Sequence, residues 1–324
     1  MKSIIFSVDG RESLINDILL SQQLEFNKTS VVLGKTNIQK FSDGELCVDL
    51  LDSVRGQRVY LLSSPNTSDE LVKLVSAIDS AKRAEAKEII VILPYFPYQR
   101  QDKKDQLRGP IGAKAWARIF EAIGATSVIT YDLHADQIQG FFEIPVTHIE
   151  GKNVFDDYIS SVMTEQTILC GPDAGSGKRV KRMKEQISKY HNKNLNIVMM
   201  DKTRKEANQI DDMVIIGNVE GKDVIIIDDM VDTAGTLCKA AEVLLENGAK
   251  SVRAIISHGV LSGPAYDRIE KSLLTELVIS DSLPSKPSNK IKVVSISNKI
   301  AKAIFAIDND MSYEALKLGY YEKN

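Results

Sequence analysis

Short runs of apolar, mostly β-branched residues alternate along this chain with longer segments in which apolar residues recur every three or four positions. The first pattern predicts buried β-strands, and the second predicts amphipathic helices. The clearest predicted strands are residues 59–64, 89–93, 127–131, 167–171, 196–200, 224–227, 252–257 and 292–296. The clearest predicted helices are residues 70–84, 112–123, 180–190 and 236–247. This alternation predicts an α/β fold with a mainly parallel central sheet flanked by helices.

Two stretches follow the same order of elements and indicate an internal repeat. Residues 58–96 and residues 223–260 each comprise a strand, a polar loop, a helix, a short turn and a second strand. A repeat of this kind, spaced by about 165 residues, predicts two related domains in tandem. We expect the domains to be residues 1–150 and 151–297, with a helical segment from about 298 to 324 that packs on the first. Only the second copy has an acidic loop.

That acidic loop is the most informative segment of the chain. Residues 224–236 read VIIIDDMVDTAGT, a buried strand followed by carboxylates and the start of a helix. Ligands of open parallel sheets bind at the carboxyl ends of the strands, where helix-start amides bind phosphate and carboxylates accept sugar hydroxyls. The pattern predicts a ribose 5-phosphate site rather than a helix cap with incidental acids. Its predicted members are Asp228, Asp229, Asp232, Thr233, Ala234, Gly235 and Thr236.

A glycine-rich segment, GPDAGSGKR at residues 171–179, follows another predicted strand. It is not a nucleotide P-loop, because its glycine spacing is wrong and Arg179 stands where that motif needs Ser or Thr. A glycine-rich turn can still bind a diphosphate through its amides, with Lys178 and Arg179 adding positive charge. The segment predicts a diphosphate-binding loop.

Three further segments carry candidate chemistry. Residues 94–108 combine aromatic and basic side chains, which favours either a basic surface loop or an ATP subsite that includes Arg100, Gln101 and Asp102. Residues 131–136 place His134 between acidic neighbours just after a strand, so it is either an ordinary polar residue or a ligand-binding one. Residues 201–212, DKTRKEANQIDD, predict an exposed loop between two strands.

Composition and charge narrow the function classes. The chain has 324 residues, which favours two domains over one. Its 41 basic and 44 acidic residues give a net charge of −3, which argues against bulk attraction to nucleic acid or to an anionic membrane. The three cysteines are far apart and are expected to be reduced core residues. No apolar run is long enough to span a membrane, so we expect a cytoplasmic protein.

Together these segments resemble one enzyme family, the ribose-phosphate diphosphokinases, also called phosphoribosyl pyrophosphate synthetases. The acidic loop resembles the ribose-phosphate loop of the type I phosphoribosyltransferase fold. The matching blocks are residues 41–45, 94–104, 131–142, 171–179, 201–204 and 228–236, in that order. The resemblance implies two tandem type I phosphoribosyltransferase-like domains. It also implies transfer of the diphosphoryl group of ATP to ribose 5-phosphate, with Mg²⁺, for nucleotide biosynthesis.

The resemblance also implies roles for individual residues. A mobile loop would carry the catalytic residues Lys202 and Arg204, and His134 and Asp173 would lie at the metal. The ATP site would comprise Phe41, Asp43 and Glu45 from a neighbouring subunit together with Arg100, Gln101, Asp102 and His134. The pyrophosphate loop would comprise Asp173, Gly175, Gly177, Lys178 and Arg179. A homo-oligomer, a hexamer by resemblance, would follow from the shared ATP site.

The chain departs from the family at Gly171, where a serine is common. Two alternatives remain open at this point. A phosphoribosyltransferase would use the same acidic loop but would not need the second domain or the ATP-type blocks. A non-catalytic regulatory subunit would keep the fold, but the retained His134, Asp173, Lys202 and Arg204 argue against it.

Overall fold

The structure is a computed structural model that describes residues 3–203 and 212–317. The strands are β1 Ser3–Ser7, β2 Val32–Leu33, β3 Thr36–Lys40, β4 Leu46–Leu50, β5 Arg58–Leu62, β6 Glu88–Leu93, β7 Ser127–Tyr131, β8 Val146–Ile149, β9 Thr167–Gly171, β10 Asn196–Thr203, β11 Asp212–Ile216, β12 Asp223–Val231, β13 Ser251–Gly259, β14 Glu276–Ser280 and β15 Ile291–Val294. The helices are α1 Glu12–Phe26, α2 Ser68–Arg83, α3 Gly112–Ile123, α4 Lys152–Val162, α5 Gly177–His191, α6 Gly235–Glu246, α7 Ala265–Lys271, α8 Ser297–Asp308 and α9 Tyr313–Lys317.

The chain divides into two compact units. The first is formed by residues up to 150 together with residues from 296 onward, and the second by residues 151–295. Each unit has a central, mainly parallel sheet with helices packed on it, so the predicted α/β fold class is confirmed.

The first unit contains a six-stranded sheet in the order β2-β1-β5-β6-β7-β8, in which all neighbouring strands are parallel. The strands β3 and β4 form a separate antiparallel hairpin. The central strands β1 and β5 are buried on both faces, because helices cover both sides of a parallel sheet. This explains why their sequences are continuous apolar runs.

The second unit contains a seven-stranded sheet in the order β11-β10-β9-β12-β13-β14-β15. Six strands are parallel, and β11 pairs antiparallel with β10 at the edge. Cys170 is buried in the core of this unit. Cys238 of the same unit and Cys47 of the first unit are only half-buried, so the expectation that all three cysteines are core residues is wrong for those two. In this strand order, β9 and β12 pair with each other near the centre of the sheet.

The C-terminal segment predicted as one helix forms two, α8 and α9. The helix α8 packs on α1, where Phe26 and Phe305 stack with ring centroids 3.8 Å apart. At its end, the buried Asp308 carboxylate accepts hydrogen bonds from Arg58 at 3.0 Å and from the Tyr60 hydroxyl at 2.9 Å. These hydrogen bonds attach the end of α8 to strand β5. No helix in the described part of the chain is long and apolar enough to cross a membrane.

Candidate functional site

The acid pair of the predicted ribose-phosphate loop lies inside a strand rather than after it. The strand β12 pairs with β13 as far as Val231, four residues beyond the predicted end, because β13 is equally long. On its other side, β12 pairs with β9 only as far as Ile226. Asp228 and Asp229 therefore lie where β12 extends past the carboxyl end of β9, near the turn that follows β9.

The carboxylates in this region lie close to one another. Asp229 is buried, and Asp228 and Asp173 are half-buried. Asp229 is 6% exposed, and its backbone N–H donates a hydrogen bond to Asp228 Oδ1 at 2.9 Å. Burial raises the pKa of Asp228 well above its ordinary value, and the negative charges of Asp229 and Asp173 raise it further. A cation or the hydroxyl donors of a sugar would offset both effects, so the pair is suited to such a ligand.

Asp173 begins the short 3-10 turn Ala174–Ser176 directly after β9. Its carboxylate accepts a hydrogen bond from the Ser176 N–H at 3.0 Å, and the Ser176 hydroxyl donates to the Asp173 carbonyl at 2.6 Å. At Gly171 a Cβ would lie 2.5 Å from Met199 Cε and 2.6 Å from Ser176 Oγ. A side chain at position 171 would therefore require the ends of the Met199 and Ser176 side chains to move.

The start of helix α5 has an excess of positive charge. Lys178 and Arg179 lie in its first turn, which contains no acidic residue. The N-terminal end of a helix already carries partial positive charge, so cations there are unfavourable unless an anion is bound. Gly175 is exposed in the preceding turn and Gly177 begins the helix. Backbone amides, two cations and small residues together suit a diphosphate.

The start of helix α6 has no cap from its own side chains. Its N-cap residue Ala234 has φ 60° and ψ 3°, a left-handed conformation that costs a non-glycine residue about 1–2 kcal/mol. Thr233 and Thr236 are exposed beside it, and Gly235 is the first helical residue. Asp232 accepts a hydrogen bond from Ser262. Strain of this kind is concentrated at ligand sites, which fits the predicted phosphate loop.

In the first unit, four of the predicted ATP-binding residues lie in the segments that follow two neighbouring strands, β6 and β7. Asp102, after β6, accepts a hydrogen bond at 3.1 Å from Gln137, which follows β7. Arg100, Gln101 and His134 are exposed. The structure therefore brings the Arg100–Asp102 segment close to the segment that follows His134.

Two residues outside the predicted set orient His134. The fully buried Gln99 accepts a hydrogen bond from the His134 N–H at 2.9 Å, and His148 accepts one from the Leu133 N–H at 3.1 Å. For Gln99 there was one signal, because a glutamine among aromatic residues that are expected to be buried needs a hydrogen-bond partner. The role of His148 had no sequence signal, since its partner is a backbone group in another segment.

Phe41, Asp43 and Glu45 lie in the turn between β3 and β4. The Phe41 N–H donates to the Glu45 carbonyl at 2.8 Å, and Asp43 accepts from the Glu45 N–H at 3.1 Å. Phe41 is 50% exposed. The hairpin thus presents an aromatic ring and carboxylates to its surroundings.

The remaining predicted residues lie partly outside the described chain. Lys202 is in β10 by its backbone, which pairs with Met213, but its side chain and all of Arg204 lie outside the described residues. His134 and Asp173 belong to different units. Within residues 3–203 and 212–317, no group of three or more His, Cys, Asp or Glu side chains is arranged to bind a metal. The metal role of His134 and Asp173 stays a prediction.

The fold is that of a type I phosphoribosyltransferase-like α/β enzyme. Residues 4–124 match the family model described as the N-terminal domain of ribose phosphate pyrophosphokinase. Residues 175–317 match a second, described as the phosphoribosyl synthetase-associated domain. The chain belongs to the ribose-phosphate pyrophosphokinase family.

Individual relatives agree over nearly the whole chain. A ribose-phosphate pyrophosphokinase of Porphyromonas gingivalis is 43% identical over 298 residues, which are 91% of this chain and 92% of the relative. That of Bacillus subtilis is 38% identical over 317 residues, 96% of each chain. The crystal structure of phosphoribosylpyrophosphate synthetase from Mycobacterium smegmatis matches with a TM-score of 0.86 and 30% identity, covering 96% of this chain and 100% of that one.

Proposed function

We propose that this chain is a ribose-phosphate diphosphokinase that converts ATP and ribose 5-phosphate to AMP and 5-phosphoribosyl 1-diphosphate for nucleotide biosynthesis. The observation that carries this proposal is the acid pair, half-buried Asp228 and buried Asp229, beside an uncapped helix start. The carboxylates can accept the ribose hydroxyls while the amides and hydroxyls at residues 233–236 bind the 5-phosphate. The names of the relatives support the same activity.

The reaction is an in-line displacement at phosphorus. The ribose 1-hydroxyl oxygen bonds to the β-phosphorus of ATP, the bond from that phosphorus to the oxygen bridging to the α-phosphate breaks, and AMP leaves with that oxygen. The hydroxyl proton passes to a carboxylate or to water. Asp228 is suited to accept it because burial and its acidic neighbours raise its pKa. Positioning and charge stabilisation supply most of the rate in such chemistry.

Cations would stabilise the charge that shifts between the phosphates. Lys178 and Arg179 in the first turn of α5 would bind the diphosphate, and Lys202 and Arg204 would act as the catalytic cations. Mg²⁺ would supply positive charge at the phosphates, and Asp173 and His134 are the residues that the family resemblance assigns to it. Among the described residues, Asp173, Asp228 and Asp229 are not arranged as a metal-binding group, but a nearby cation would reduce the repulsion from Asp229 and Asp173 that, in addition to burial, raises the pKa of Asp228.

The ATP site would combine Arg100, Gln101, Asp102 and His134 with Phe41, Asp43 and Glu45 of a neighbouring subunit. The exposed Phe41 ring supports this proposal, because an aromatic side chain presented to solvent can stack on adenine. The enzyme would then be a homo-oligomer, with a hexamer as our specific expectation. Mass measurement in solution tests this part, and an active monomer would contradict it.

We also propose that the protein works in the cytoplasm, without nucleic acid or membrane partners. The half-buried thiols of Cys47 and Cys238 fit a reducing compartment. The nearly balanced charge of −3 fits small-molecule substrates better than a polyanion.

The decisive experiment measures AMP release from ATP and Mg²⁺ with and without ribose 5-phosphate, and identifies the sugar product by its mass. Sugar-dependent AMP together with phosphoribosyl diphosphate is the expected result. ADP as the product would replace the proposal with an ordinary kinase. Folded protein without turnover would favour a regulatory subunit.

A further inference from the structure

The loop that forms the proposed ribose 5-phosphate site is supported from one side by a single segment. We call residues 260–268, which connect β13 to α7 and begin that helix, the supporting segment. The Val231 carbonyl accepts hydrogen bonds from two N–H groups of this segment, at 2.9 and 3.2 Å. Asp232 accepts a hydrogen bond from Ser262 of the same segment. Two consecutive residues of the loop are therefore fixed from this side.

The next residue is fixed by a charged side chain. Arg268 Nη1 donates a hydrogen bond to the Thr233 carbonyl at 3.0 Å. The same guanidinium lies against Gly235, where an added Cβ would be 3.3 Å from Nη1. Arg268 therefore contacts the loop on both sides of the strained Ala234. A hydrogen bond from a charged donor is stronger than one between neutral groups.

This bond fixes the orientation of one peptide plane. In a planar trans peptide the C=O and the following N–H point in opposite directions, so a Thr233 carbonyl directed at Arg268 turns the Ala234 N–H to the opposite side. Ala234 has φ 60°, a conformation that persists only where neighbouring contacts impose it. Without Arg268, rotation of this peptide would both relieve strain and turn the amide away.

We propose that Arg268 is a positioning residue for the ribose 5-phosphate site, which holds the Thr233–Ala234 peptide so that the Ala234 N–H points at the 5-phosphate. This role rests on the proposed function, since it assigns that phosphate to the 233–236 loop. Arg268 touches the loop through its backbone and does not enter the chemistry at the 1-hydroxyl. Its loss should weaken binding of the sugar phosphate and leave the ATP site intact.

The chain offers a matched control in Lys271. This residue lines the same groove of about 600 Å³ between α6 and α7, together with Arg268, Lys239 and Cys238. Within the described residues, it has no hydrogen bond to the loop 231–235. Lys271→Met removes one positive charge from the groove, as Arg268→Met does, but leaves the Thr233 carbonyl bonded. The pair of variants separates the bond from the charge.

The test compares the full-length parent, Arg268→Met and Lys271→Met by steady-state kinetics and by calorimetric titration with ribose 5-phosphate. For Arg268→Met we expect KM and Kd for ribose 5-phosphate to rise about tenfold, as for loss of one hydrogen bond to a charged group, with kcat and KM for ATP within about twofold. Lys271→Met should stay within about twofold in every constant. Because Arg268 is exposed, the melting temperature should barely change.

Two outcomes would overturn the role of Arg268. One is an unchanged affinity for ribose 5-phosphate in Arg268→Met. The other is an equal loss in Lys271→Met, which would assign the effect to groove charge alone. Either result leaves parent turnover, and hence the proposed function, intact. If the parent instead binds ribose 5-phosphate but releases no AMP, the function fails, and the calorimetric comparison still decides the role of Arg268.

Discussion

The two βαβ copies begin their helices in opposite ways. In the first copy, α2 starts with a capping box, in which Thr67 Oγ1 accepts from the Glu70 N–H at 3.3 Å and Glu70 accepts from the Thr67 N–H at 3.0 Å. A backbone amide of the loop before α2 also has an acidic partner, since the Ser64 N–H donates a hydrogen bond to the Asp9 carboxylate at 2.6 Å. The first copy therefore satisfies its amides internally.

In the second copy, α6 starts without a side-chain cap and without an acidic residue in its first turn. Its acids instead lie upstream in β12, as Asp228 and Asp229. The helix start is thus left to an external anion, and the carboxylates are kept for neutral hydroxyls or a cation. The same helix start is structural in the first copy and suited to ligand binding in the second, and the difference depends on where the chain places its acids.

The largest effect should come from the catalytic cations assigned to the second unit. We expect Lys202→Ala or Arg204→Ala to lower kcat by roughly 10²–10³, the scale for removing one transition-state donor. Lys193→Ala, an exposed lysine just before β10, serves as the control and should leave kcat unchanged. Turnover within about threefold of the parent would remove these residues from the mechanism.

A second variant gives the second copy the acid that the first copy has. Thr236→Asp places a carboxylate in the first turn of α6, where it would occupy the amides and repel phosphate. We expect KM for ribose 5-phosphate to rise about 100-fold, equivalent to roughly 2.7 kcal/mol, with little change in KM for ATP. Thr236→Ser keeps the hydroxyl and should remain close to the parent. A KM below three times that of the parent would place the phosphate elsewhere.

Asp228 should lower the stability of the ligand-free protein at high pH while it contributes to binding of ribose 5-phosphate. The folded-state pKa of Asp228 is raised by burial, so its contribution to stability is present at low pH and is lost as pH rises through that pKa. Asp228→Asn should therefore raise the melting temperature of the ligand-free protein at pH 8 by about 2–4 °C for each kcal/mol gained, with a smaller gain at pH 5. It should also raise KM for ribose 5-phosphate about tenfold. A lower melting temperature at pH 8 would contradict this account.

The smallest effect is expected where the helix start is only structural. Thr67→Ala removes the cap of α2 and should cost about 1 kcal/mol of stability, with kcat and both KM values unchanged. Thermal denaturation and steady-state kinetics measure the two parts. A rise in either KM would show that the first copy also contributes to substrate binding.

Amphipathic helices with a glycine at each end could be predicted well from the sequence. The helix α3 was predicted with its observed bounds, because Gly112 and Gly124 flank a clean periodic stretch. The helix α1 was missed, because Leu20 and Leu24 are exposed on its outer face and blur the period. The strand β12 was predicted too short, because acids within a strand look like its end.

The residues of the candidate site also fall into two groups, those that the sequence could predict and those that it could not. Side chains that form a local motif, such as Asp228 and Asp229, could be chosen from the sequence. Residues that act through a distant backbone group could not, because one chain contains no sign of the pairing. Arg268 with the Thr233 carbonyl and His148 with the Leu133 N–H are two such cases.

The hydrogen bonds that Asp308 accepts from Arg58 and Tyr60 join the two ends of the first unit, and they can form only after the second unit has been synthesised. The chain leaves the first unit near residue 150 and re-enters it at 296, so the second unit is an insertion within the first. During synthesis, domains fold as they emerge, N-terminal parts first. Here the first unit must wait for α8, and until then α1 lacks the helix that covers it. The unit that starts the chain is thus completed last, and a nascent chain stopped before residue 296 would lack part of the first unit rather than part of the second.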